Sequence, residues 1–122
     1  MEDNPHSFLP LSPATLHILL SLAGEDLHGY GIMQEVARQS EGKYKLGPGT
    51  LYDNLQKLIQ REWVEELGRR AGDDDPRRRY YGLTLAGQGV LEAEIARLAR
   101  VVREARSRLQ LARSPAAKPR RA

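Results

Sequence analysis

Cysteine is absent from this 122-residue sequence, which excludes disulfides and thiolate chemistry. Histidine occurs three times at scattered positions, so the usual zinc ligand sets cannot be assembled, and no metal or cofactor is expected. Aromatic residues amount to 6%, with one tryptophan and one phenylalanine, which leaves few bulky anchors for a core. No apolar run approaches the ~18 residues of a membrane span. No basic segment followed by an apolar stretch opens the sequence, so neither a secretory signal nor membrane contact is expected, and the expected compartment is the cytoplasm. At this length one domain plus an appended element is expected, and a second copy would help so small a core.

The basic excess is small and unevenly placed. Of 19 basic residues, Arg113, Lys118, Arg120 and Arg121 lie in the last ten positions without an acid, so residues 1–112 hold 15 basic against 16 acidic residues. The pI near 9.4 therefore belongs to the tail, and nucleic-acid binding has to be argued from local clusters, of which Arg77-Arg78-Arg79 is the tightest.

Residues 1–11 read as an unstructured or extended lead-in. Ser12-Pro13 is a helix start, with serine able to cap free N–H groups and proline suited to the first turn. Leu16, Leu19, Leu20 and Ala23 follow at the spacing of one buried face, and Gly24 stops this first helix. A second helix is expected from about Gly29 to Gln39, with Ile32, Met33, Val36 and Ala37 as its apolar stripe. Gly47-Pro48-Gly49-Thr50 opens a third, to about Arg61, that buries Leu51, Leu55, Leu58 and Ile59. Trp63 to Leu67 and Arg79 to Thr84 then favour strands, and Gly68 to Arg78 between them reads as a hairpin tip; His28 falls in a loop. The expected fold class is mainly α with a small β-hairpin, the order of a winged helix-turn-helix. From about Ala86 to Leu111 a long helix follows, with Leu91, Ile95, Leu98, Val102, Ala105 and Leu109 spaced as a coiled-coil seam that calls for a partner helix. The expected organisation is a lead-in over 1–11, a winged helix over 12–85, a dimerisation helix over 86–112 and a disordered basic tail over 113–122.

The outer arc of the third helix holds Thr50, Asp53, Gln56, Lys57 and Gln60, with Tyr52 on one shoulder. These types bond phosphates and base edges, although an ordinary solvated face looks similar. Arg69-Arg70 and Arg77-Arg78-Arg79 flank the hairpin tip and could straddle phosphates, or instead be neutralised by Asp73-Asp74-Asp75. Those three adjacent acids lack the alternating spacing of a calcium loop. His6, His17 and His28 have no triad or ligand spacing, and no Gly-Lys-Ser/Thr follows Gly47 and Gly49, so no enzyme is expected.

Three segments then resemble a known family. They are Leu27-His28-Gly29-Tyr30-Gly31-Ile32; Gly47-Pro48-Gly49-Thr50-Leu51-Tyr52 with Leu55 and Leu58; and Arg79-Tyr80-Tyr81-Gly82-Leu83-Thr84 with Gly87 and Leu91. In that order they resemble the PadR family of bacterial transcriptional regulators, in its smaller subclass with a single helix after the wing. The resemblance implies a homodimeric repressor on a palindromic or near-palindromic operator in double-stranded DNA, released by a small aromatic or planar effector. Thr50, Tyr52, Gln56 and Lys57 would hold and read the major groove, and Arg77, Arg78 and Arg79 would reach the adjacent backbone or minor groove as a sequence-independent grip. Leu91, Ile95, Leu98, Val102 and Leu109 would join the subunits. Gly29 and Tyr30 would set the start of the second helix, and Tyr52 would pack on the fold or bond a phosphate.

Some residues depart from the family pattern. Glu62 stands where the family usually has glycine, Asp53 puts an acid on the reading face, and the terminal helix has no aromatic residue to sandwich a flat ligand. Trp63 is expected in the core. A winged-helix protein-interaction module, or a ligand sensor that does not bind DNA, would share the same element order.

Overall fold

The computed structural model describes residues 4–68 and 78–113. Helix α1 (Pro13–Ser21) leads through strand β1 (Leu27–His28) into α2 (Gly29–Gln39) and α3 (Pro48–Gln60). Strands β2 (Val64–Gly68) and β3 (Tyr80–Leu83) follow, and α4 (Leu85–Arg113) closes the described chain. At 29 residues, α4 spans about 43 Å.

The local causes are visible at each helix end. Ser12 Oγ accepts from the Thr15 N–H and Pro13 occupies the first turn, so α1 begins where the sequence signal places it. His28 Nδ1 accepts from the Gly31 N–H at 3.0 Å and caps α2. Thr84 caps α4: its Oγ1 accepts from the Gly87 N–H and donates to the Glu62 carbonyl at 2.6 Å. Helix α3 ends in a Schellman turn, in which the Trp63 N–H reaches the Leu58 carbonyl and the Glu62 N–H that of Ile59. That turn puts Glu62 at φ 63°, the left-handed region that glycine occupies without strain.

The core gathers Ile18, Leu19 and Leu22 from α1 and its C-cap, Ile32 and Val36 from α2, and Leu51, Leu55 and Leu58 from α3. Leu46, Trp63, Val64, Tyr81, Val90 and Leu91 complete it, so Trp63 is a core residue immediately before β2, as expected. A Cβ at Gly87 would collide with the Trp63 carbonyl, so the start of α4 can lie against the turn that precedes β2 only because that position carries no side chain.

Three expectations need correction. The first helix buries Ile18, Leu19 and Leu22, whereas Leu20 and Ala23 are exposed and Leu16 is half-buried. Apolar residues surround nearly the whole helix, so leucine spacing alone could not select the inward face. The ribbon is a three-stranded antiparallel sheet in the order β1-β3-β2, and His28 lies in β1 rather than in a loop. Leu27 pairs with Tyr81 and His28 with Tyr80; two residues are too few to show a strand's alternation. The lead-in is folded from Pro5 to Phe8 as a 3-10 turn capped by Asn4. Phe8 meets Trp63 edge-on at 4.9 Å, the Arg61 guanidinium lies 5.0 Å from the Phe8 ring centre, and the Leu11 N–H donates to Glu94. This arm folds because Phe8 and Leu11 find apolar surface on the body.

Candidate nucleic-acid interface

Helix α3 divides cleanly by burial. Leu51, Leu55 and Leu58 are buried, while Thr50, Tyr52, Asp53, Gln56, Lys57 and Gln60 are exposed along the opposite arc. Its N-cap, Gly47, makes no side-chain capping bond, and Pro48 supplies no N–H, so a backbone rather than a side chain opens the helix. Asn54 turns its amide back to the Thr50 carbonyl at 2.8 Å, which withdraws it from the exposed polar arc.

Tyr52, 47% exposed, lies against α2: a Cβ on Gly29 would collide with its hydroxyl. Tyr52 therefore packs on the fold, and Gly29 makes the seat. Around it His28, Tyr30, Arg78, Arg79 and Tyr81 line a cleft of about 450 Å³ where α2, α3 and the base of the wing meet. Arg79 pairs with Glu66 at 3.3 Å with both side chains about half exposed, an exposed pair of modest strength. Burial pushes the Tyr81 hydroxyl above its ordinary range, helped by Glu66 and Tyr52, so it stays protonated as a neutral wall.

Of the expected site residues, Thr50, Tyr52, Gln56 and Lys57 share one surface, and Arg78 and Arg79 stand beside Tyr52. Arg77, Arg69, Arg70 and the three aspartates lie outside the described residues, as does the tail beyond Arg113. The sequence reading passed over Lys43 and Lys45, both exposed on the segment leading into α3. The alternation Lys43-Tyr44-Lys45 was the available signal, since Tyr44 packs inward and stacks on His17 at 5.3 Å. Among the described residues no group of three His, Asp or Glu side chains could hold a metal ion, and no helix is long and apolar enough to cross a membrane.

The seam of α4 splits in two. Leu91 is buried in the chain's own core, whereas Ile95, Val102 and Leu109 are exposed and Leu98 is half-buried. From Ala99 to Arg113 every residue is exposed, so about 22 Å of helix stands clear of the body. At the base of that projection Glu94 is 1% exposed and accepts from Arg97 Nε at 2.6 Å and from the Leu11 N–H at 3.1 Å. The Arg97 bond holds the Glu94 carboxyl below the usual carboxylate range despite burial, so the buried group stays charged.

Three short helices, a small sheet over one end and an exposed polar arc on the third helix define a winged helix-turn-helix. Residues 18–93 match the Transcriptional regulator PadR-like family, and the chain belongs to it. It is 34% identical over 89 residues to Transcriptional regulator Rv3488 of Mycobacterium tuberculosis, covering 73% of this chain and 78% of that protein. It is 35% identical over 88 residues to an uncharacterized 37.1 kDa protein in transposon TN4556 of Streptomyces fradiae; the match covers 72% of this chain but only 24% of that protein's length. Among solved structures, a PadR family transcription regulator from Clostridium difficile R20291 superposes with a TM-score of 0.68 at 21% identity, over 80% of this chain and 99% of that one. Bacillus subtilis PadR in complex with operator DNA gives 0.61 at 21% identity, over 70% and 48%. Bordetella bronchiseptica BpsR, whose DNA binding is regulated by 6-hydroxynicotinic acid, gives 0.60 at 16% identity, over 77% and 64%. At these identities the structures speak to the fold. The chain is thus a transcriptional regulator of the PadR-like family.

Proposed function

We propose that the protein is a homodimeric repressor that binds a palindromic or near-palindromic operator and is released by a small planar effector. The observation that carries this reading is the division of α3, whose exposed arc of Thr50, Tyr52, Gln56 and Lys57 borders the wing-base arginines Arg78 and Arg79. Gln56 suits an adenine edge and Lys57 a guanine edge or phosphate. Arg78 and Arg79 suit backbone contacts that hold register without reading sequence. Asp53, exposed on the same arc, suits a cytosine amino group. The winged helix over 12–85 would then be the DNA-binding unit and the helix over 86–112 the dimerisation unit. An effector acts in this reading by changing the angle between subunits, and so the spacing of the two α3 helices. The DNA-bound Bacillus subtilis relative and the effector-regulated Bordetella bronchiseptica relative support the two halves of the reading by analogy.

Selection of duplexes from a random pool, followed by titration across salt, tests it. Two related half-sites should emerge, and affinity should fall by ~10³–10⁵ between 50 and 200 mM salt for ~6–10 phosphate contacts. Failure to enrich any duplex, with no salt-dependent binding, would favour a protein-interaction module.

A further inference from the structure

Resting on the DNA binding proposed above, we propose that Lys43 and Lys45 form a second grip on the duplex, holding the sugar-phosphate backbone across the groove from the wing-base arginines. The turn between α2 and α3 exposes both lysines, while Tyr44 between them is half-buried and Leu46 is buried. From Lys43 to Tyr52 these two are the only charged residues, and neither enters an ion pair among the described residues. Glu41, exposed at the start of the turn, leaves residues 40–47 net positive. The turn holds the lysines still. Glu41 and Gly42 take left-handed φ angles of 54° and 77°, the Gly42 N–H donates to the Ala37 carbonyl at 2.7 Å, and the Lys43 N–H donates to that of Ser40 at 3.0 Å. Ser40 Oγ accepts from the Tyr44 N–H at 2.9 Å. The Tyr44 ring stacks on His17, whose Nδ1 lies 3.2 Å from Gln39 Oε1 at the end of α2. The backbone that carries the lysines is thus ordered before DNA arrives, and binding costs chiefly side-chain freedom.

Position decides what the pair can touch. Arg78 and Arg79 line a cleft with His28, Gly29 and Tyr30 at the N-terminal end of α2, whereas Lys43 and Lys45 follow its C-terminal end. The 11 residues of α2 span about 16 Å, more than the ~12 Å width of the major groove. With α3 in the groove, the arginines therefore face one backbone and the lysines the other. The turn also runs directly into Pro48 in the first turn of α3, so a phosphate held there fixes where that helix enters. Such contacts set register and tilt and add no preference for sequence.

The test uses the full chain and the duplex it selects. Lys43→Gln with Lys45→Gln removes both charges from exposed positions and keeps most of each stem, and thermal unfolding checks that the fold is intact. Each phosphate contact contributes ~0.9 to the salt slope, so a dimer that loses four should show a slope smaller by about 3.6, with the preferred sequence unchanged. Lys43→Arg with Lys45→Arg should keep the parent slope. So should Arg38→Ala, a nearby cation whose guanidinium is already paired with Glu35. Single neutral methylphosphonate linkages then locate the contact. The parent should lose affinity at linkages flanking the read bases on the side away from the wing, and the glutamine variant should be indifferent to the same replacements. An unchanged slope in the glutamine variant, an equal fall in Arg38→Ala, or equal sensitivity of parent and variant at every linkage overturns the second grip while leaving operator binding standing. A parent chain that selects no duplex overturns both.

Discussion

Glu62 adopts φ 63° because the Schellman turn after α3 needs a left-handed residue between Arg61 and the buried Trp63. A side chain in that region costs roughly 1–2 kcal/mol relative to one in the right-handed region. Glu62→Gly should therefore stabilise the fold by about 0.5–1 kcal/mol, part of the relief being offset by glycine's greater freedom when unfolded. Urea denaturation monitored at Trp63 measures it, with Glu62→Ala as the control that should show no such gain. A Glu62→Gly variant no more stable than the parent would mean that the turn relaxes some other way. The departure from the family's glycine was visible in the sequence; its conformational meaning was not, because the same Glu in a right-handed turn would read identically.

At the scale of elements, α3 and the wing base are assigned different tasks, and substitutions separate them. Gln56→Ala should relax sequence preference at one position of the half-site, costing ~1–3 kcal/mol against the preferred base. Arg78→Ala with Arg79→Ala should weaken all duplexes alike and flatten the salt dependence. Binding curves on matched and mismatched duplexes at two salt concentrations check both, and identical behaviour would contradict the division of roles. The arm gives a separate prediction. Glu94 joins the Leu11 backbone to α4 through a carboxylate held below its usual range by Arg97. Its contribution is therefore complete above the unfolded carboxylate's pKa and lost as pH falls through the lower folded value. Glu94→Gln should be less stable than the parent at pH 7 and lose less further stability between pH 5 and 3, as read from denaturant midpoints.

The elements differ in how far the sequence could disclose them. Helices α2 and α3 and their buried stripes were legible because polar residues fill their other faces, and the start of α1 was legible from Ser12-Pro13. The inward face of α1 was not, since apolar residues surround it. Strand β1 and the arm were hidden for another reason: Leu27–His28 and Pro5–Phe8 are held by contacts with Tyr80, Tyr81, Trp63 and Glu94, far away in the chain. Likewise the exposed polar arc of α3 was legible, but the seat that Gly29 provides for Tyr52 was not, because it depends on how α2 and α3 cross.

For the whole molecule, the proposed operator binding requires two copies. One α3 offers a short polar arc, whereas a pair held by α4 could address half-sites about one helical turn, ~34 Å, apart. The seam positions Ile95, Val102 and Leu109 are exposed and Leu98 is half-buried in the single chain, a surface that a second copy would cover in the proposed dimer. Leu98→Asp places a charge in that seam and should dissociate the subunits while leaving the winged helix folded. Sedimentation of the protein with and without its selected duplex is the most direct measurement. The prediction is two chains in solution, two chains per duplex, and loss of both in Leu98→Asp; a parent protein that is monomeric alone and binds its duplex as one chain would contradict the account.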